Sequence, residues 1–275
     1  MFLNLFRRDP LLDETTRRWI HEVFAWALRH QGPGVFFGDT DLVLPTPEYF
    51  PGRASSVHEM AQLMFESVRK HAGLDHWPCQ LLEPGALTAQ PYPHHPPPPA
   101  YRGRRALAPA TNGAASTALF SYSPELVGNP EALIATLARD FAQHVAAAAP
   151  EPPPGGRENW PHITELVGVF MGFGLMLANT AFSVRVNSCG SCQGPAAERS
   201  GYLSRADLTY ALGLFCRLKN VPAGQARRHL KSSLRPIFRR ALAQIDRHPD
   251  DLEKLKATAP ALASDPAAGV LTLPR

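Results

Sequence analysis

The order of elements along the chain predicts an α+β domain, mostly helical with a small sheet. Three observations lead there. The short, alternating stretches fit to be strands fall mainly in the first half, and long stretches at helical spacing fill the second. Hydrophobic residues make up 44% and charged residues 19% of the 275 residues, enough apolar side chain for a sizeable core. The most apolar run, "LVGVFMGFGLMLA" (Leu166 to Ala178), is 13 residues long, short of the roughly 20 needed to span a bilayer. It is expected to be a buried core helix.

The elements follow in order. "DETTRRWIHEVFAWALRH" has helical spacing and an acidic first turn, and "QGPG" ends it. "FFGDTDLVLPTPEYFPG" reads as a short strand with extended, proline-bounded segments. "SSVHEMAQLMFESVRKHAG" is a second helix, with Ser55 or Ser56 as N-cap and Gly73 as its stop. "WPCQLLEP" and "STALFSYSP" are strand candidates. Between them, residues 91–110 form a proline-rich insertion that can enter neither a helix nor a central strand and is expected as an exposed loop. A helix around Glu131 to Ala148 comes next, then the apolar helix from about Ile163 to Phe182. "SVRVNSCGSCQGPAAERSG" is a loop with at most a short strand. A helix capped by Ser204 follows, and one or two basic helices are interrupted near Pro236. The expected organisation is an N-terminal helical segment (1–40), a main domain (41–248) and a C-terminal tail (249–275), of which "PALASDPAAGVLTLPR" is expected to be loosely ordered.

A formal net charge of +4 and a pI near 9.0 are weak grounds for a nucleic-acid partner. The first residues carry no long apolar run before a cleavage site, so no signal peptide and no membrane span are expected and the cytoplasm is the expected compartment. Four cysteines should then be reduced. Cys189 and Cys192 form C-G-S-C in a loop context. With Cys79 and Cys216 single and distant, neither a zinc ribbon nor a redox helix is indicated. His94 and His95, inside the proline run, lack the framing of a metal site.

The helix containing "LARDFAQHV" (Leu137 to Val145) raises the functional question. At 100° per residue, Leu133, Ile134, Phe141 and Val145 fall within roughly 80° of Leu137 and form the core stripe. Arg139 and Gln143 lie on the far side, among Ala132, Ala135, Ala142 and Ala146. An alanine-lined face invites close cover by another element. The apolar helix offers Glu165, Gly168, Gly172 and Asn179 on one stripe. Packing of the two small faces would bring Glu165 near Arg139. The alternative leaves Arg139 in water, as most arginines are.

Several blocks together resemble a bacterial family of zincin-like, gluzincin-type proteins. They are "LPTPEYFPG" with "AGLDHWPCQLL", "NPEALIATLARDFAQHV", "ITELVGVFMGFGLMLANTAF" and "GYLSRADLTYALGLFCRL", in the family's order, over about Leu42 to Arg240. The resemblance implies a zincin-like domain over residues 41–248. Complete members carry "LAHELGH" where this chain has "LARDFAQ". In them two histidines on one helical face would hold zinc, and the intervening glutamate would act as general base. The position of Glu165 would supply the third ligand. Here Arg139 stands at the first histidine position and has no lone pair for a metal. Gln143 stands at the second and is a poor zinc ligand. Asp140, at the base position, is one methylene too short. Zinc, expected in intact members, is therefore expected to be lost here, with the Arg139 guanidinium in its place, paired with Glu165 and hydrogen-bonded by Gln143.

The expected function is that of a catalytically inactive zincin-like protein, a pseudopeptidase that binds a peptide or protein segment or serves as a scaffold. One alternative is a metal-dependent hydrolase with a rebuilt site of Asp140, His144 and Glu165, to which His162 could contribute. His144 falls on the apolar stripe, which favours a structural role. Another alternative is anion or nucleic-acid binding through the basic stretch Arg227 to Arg240. That stretch lacks acidic residues, but also the interleaved aromatics of a nucleic-acid binder.

Overall fold

The computed structural model describes residues 9–86, 98–103, 117–185, 196–199 and 201–258. Helix α1 (Glu14–Gln31) starts at Asp13, whose carboxylate accepts from the Thr16 backbone N–H, and stops at Gly32 with φ 81°. Its apolar face, including Ile20, Phe24 and Leu28, is buried. The following segment forms no strand. Val35–Asp39 is a π-helical turn, and the extended chain beyond it has no neighbouring strand. Phe36 decides this. Its ring stacks on Phe170 at 4.4 Å and meets Phe215 edge-on, and the Lys219 ammonium donates to the Phe36 and Phe37 carbonyls.

Helix α2 (Val57–His71) has a full capping box. Ser56 accepts from Glu59 N–H, and Glu59 reaches back to the Ser56 backbone. It ends at Ala72, and Gly73 with φ 72° turns the chain away. Strands β1 (Cys79–Leu81) and β2 (Ala118–Phe120) pair in parallel, Cys79 opposite Ala118. A parallel pair needs a long crossover, and the connection between β1 and β2 includes the proline-rich insertion. Of that insertion, residues 98–103 are described. The Pro98 carbonyl accepts from Trp77, and buried Arg102 donates to the Ala72 carbonyl and the Thr40 hydroxyl.

A short helix, α3 (Pro124–Val127), leads into α4 (Pro130–Ala147), which Asn129 caps. Both faces of α4 are covered. Leu133, Ile134, Leu137, Phe141 and Val145 are buried as the periodicity predicts, and so are Ala135, Ala142 and Ala146 on the opposite side. The apolar stretch is not one helix. It runs as α5 (Trp160–Gly168), a π-helical turn (Val169–Phe173) and α6 (Gly174–Thr180), with the break at Gly172, φ 100°. The Gly172 carbonyl accepts from Val43 N–H, so the extended segment finds its backbone partner at this break rather than in a sheet. Residues Arg157–Thr180 are long and apolar enough to cross a membrane, but the apolar window is 100% buried inside the protein.

A hairpin of β3 (Phe182–Arg185) and β4 (Ala196–Arg199) precedes α7 (Arg205–Leu218), which begins with a Ser204–Asp207 capping box. The basic stretch divides at Leu230 rather than at Pro236. It forms α8 (Ala223–His229), a 3-10 turn (Ser232–Leu234) and α9 (Arg235–Ile245). Pro236 opens α9, where its missing N–H costs no helical bond. Part of the expected tail is a helix, α10 (Pro249–Ala257), tied to α1 through Arg17, which pairs with Glu14 and Asp251 at 2.8 Å each. Leu11 and Leu12 are bound to the Gln244 side chain on α9, so the N-terminal segment shares the core of the rest. The fold is a mostly helical α+β arrangement.

Candidate functional site

The small faces of α4 and α5 do meet. Gly168 lies over Ala138 and Ala142, close enough that a Cβ on Gly168 would sit 4.0 Å from the Ala138 carbonyl oxygen and the Ala142 methyl. Gly172, expected on the same stripe, is turned aside by the helix break. Asn179 continues it, donating to the Glu131 carboxylate near the start of α4. The close approach brings Arg139 Nε to 2.9 Å from Glu165 Oε1. The Glu165 side chain is fully buried, whereas that of Arg139 keeps 17% of its exposure.

Glu165 is held from a second side. Its Oε2 accepts from Leu203 N–H at 2.8 Å and Tyr202 N–H at 3.2 Å, just before α7 begins. A Cβ at Gly201 would fall 2.6 Å from Glu165 Oε1. Glycine there is what lets the backbone close on the carboxylate. A buried anion thus receives one charged donor and two backbone donors, which offset the loss of water. The arginine is less completely served, because its Nη2 is buried without an acceptor.

The other candidates lie as follows. Asp140 is half-buried on α4. Burial pushes its carboxyl up to about 6, against the downward pull of Arg139. Gln143 is exposed and makes no hydrogen bond to the pair, so the expected third contact is corrected. At its place on the helix the side chain faces solvent, one turn beyond the cover that Gly168 provides. His144 packs its ring against Trp77 at 4.9 Å and Phe120 at 5.4 Å, and burial lowers its pKa. It belongs to the aromatic layer under β1 and β2. His162 is half-buried beside the exposed Tyr202 ring, and its Nδ1 has no hydrogen-bond partner.

Among the described residues no three His, Cys, Asp or Glu side chains converge on a point where an ion could sit. Asp140, His144 and Glu165 therefore do not form the rebuilt site considered above. His144 points into the aromatic layer, and Glu165 is saturated by Arg139 and the two amides. Nor does the set at the positions that the resemblance would assign to zinc suit that metal. The guanidinium occupies one oxygen of the only carboxylate in the set able to act as third ligand, and cationic arginine opposes a dication. Cys79 and Cys216 are free thiols, pushed by burial up to about 11 and about 12. Neither is a ready nucleophile or metal ligand. Cys189, Cys192, His94 and His95 lie outside the described residues.

Sequence reasoning offered the Arg139–Glu165 pair as one of two readings and missed the amide cradle from Tyr202 and Leu203. Its trace in the sequence is Gly201, three residues before the helix cap Ser204. Set against models of known protein families, curated proteins and solved structures, the chain matches none of them.

Proposed function

We propose that the protein is a pseudopeptidase, a zincin-like body in which a guanidinium has replaced the metal, and that its retained role is to bind a peptide or protein segment or to act as a scaffold. The observation that supports this reading is the Arg139–Glu165 pair. It joins the first and third positions of the motif that the resemblance assigns to zinc, and it does so with a fully buried carboxylate. Arginine cannot ligate a metal. Asp140 is the only acid in the motif, and with Arg139 paired it has no metal-bound water to activate.

The test restores the motif. The unaltered protein, purified without added metal, should hold no stoichiometric zinc and cleave no peptide. The triple change Arg139→His, Asp140→Glu and Gln143→His, checked for native helicity by circular dichroism, should acquire one tightly bound zinc, and a further Glu165→Gln should weaken that binding. Zinc and peptide cleavage in the unaltered protein would overturn the proposal. So would a folded triple variant that binds no zinc.

A further inference from the structure

The basic stretch that the proposed function leaves aside folds into a pocket. Arg227 and Arg228 from α8, Ser232 from the 3-10 turn, and Arg235, Pro236 and Arg239 from α9 line a concave space of about 570 Å³. All four guanidinium groups belong to exposed residues. Among the described residues no carboxylate lies within ion-pairing distance of any of them. No acidic residue occurs between Val221 and Ile245. The next one, Asp246, is already taken by both ends of the Arg217 guanidinium, at 2.7 and 2.6 Å.

The pocket is built on fixed supports. Asn179, 3% exposed, donates to the His229 carbonyl and accepts from Lys231 N–H, which pins the junction between α8 and the 3-10 turn. Arg235 Nε donates to the Leu230 carbonyl at 3.0 Å, so its guanidinium is held in place. The first turn of α9 also lines the pocket and has no side-chain cap. The partial positive charge of that helix end adds to the arginines.

We propose that this pocket binds a compact ligand carrying two or more linked phosphate groups, such as the di- or triphosphate portion of a small molecule. Arginine forks match phosphate oxygens in pairs, and four unneutralised guanidinium groups around one hollow require more than one negative charge to balance them. The surroundings favour a compact ligand over a nucleic-acid strand. Two neighbouring arginines are engaged elsewhere: Arg217 is paired with Asp246, and Arg240 is hydrogen-bonded to the Asp9 and Pro10 carbonyls. No aromatic side chain lines the hollow to stack on a base.

The experiment is calorimetric titration of the full chain with pyrophosphate and tripolyphosphate at fixed ionic strength. Inorganic phosphate, sulfate and a 20-base-pair duplex are the comparison probes. Saturable 1:1 binding is expected, tighter for tripolyphosphate than for pyrophosphate, and weakest for phosphate and sulfate. Arg228→Gln with Arg239→Gln should weaken it at least tenfold, and Arg53→Gln, on an exposed loop that does not line the pocket, should leave it unchanged. Thermal melting of each variant without ligand shows that the fold is kept. Three results overturn the proposal: no saturable binding of either polyphosphate at millimolar concentration, equal affinity in the double variant, or a duplex that binds more tightly than tripolyphosphate with a salt dependence reporting many phosphate contacts.

Discussion

Replacing Arg139 by alanine tests the central pair directly. Glu165 has no exposure to water, so removing its charged partner strands a carboxylate with two amide donors. Breaking a buried pair from one side costs about 3–5 kcal/mol. Part of that is returned. Arg139 Nη2 is itself buried without an acceptor, an arrangement that costs about 1 kcal/mol or more and disappears with the side chain. The net expectation is a loss of about 2–4 kcal/mol. The assay is urea denaturation followed by both near- and far-ultraviolet circular dichroism, with the loss read as a fall in midpoint at constant slope. A cycle with Glu165→Gln and the double variant isolates the interaction, expected at about 2 kcal/mol. A loss below about 1 kcal/mol, the range of exposed ion pairs, would refute the claim that this is a buried substitute for a metal.

Asp140→Asn should change the pH dependence of stability. The folded carboxyl titrates at about 6 instead of 3.8. Between these values the folded state keeps a proton that the unfolded state has released, so stability falls as pH rises through this window and stays reduced above it. The gap corresponds to roughly 3 kcal/mol at most. The asparagine variant should be about 1–3 kcal/mol more stable at pH 7.5 and near parity at pH 3.5. A variant whose stability runs parallel to the parent from pH 4 to 7 would contradict the assignment. Gly172→Ala should lower stability by about 3–5 kcal/mol, because φ 100° excludes a side chain and a Cβ would collide with the Asp41 carbonyl oxygen. Thermal melting would show this as a fall of several degrees, and a change within one degree would mean that the kink relaxes freely.

The sequence alone determined the local elements whose cause is local. Capping at Ser56 and Ser204 and the stop at Gly73 depend on residues within one turn of each other and formed as read, and Asp13, read only as part of an acidic first turn, caps α1. The buried stripe of α4 followed from periodicity for the same reason, whereas the two small faces made Arg139 beside Glu165 one of two readings, between which the tertiary structure decided. Long-range competition decided the rest. The segment after α1 has strand-like composition, but Phe36 gains more by stacking on Phe170, and Val43 finds its acceptor at a helix break 129 residues away, between positions 43 and 172. The apolar stretch reads as one helix until the Asp41 carbonyl approaches Gly172. The amides that complete the cradle of Glu165 come from a loop 37 and 38 residues further along. Periodicity reports which face of an element is apolar. Which distant backbone group satisfies a buried charge depends on how the elements come to rest against one another.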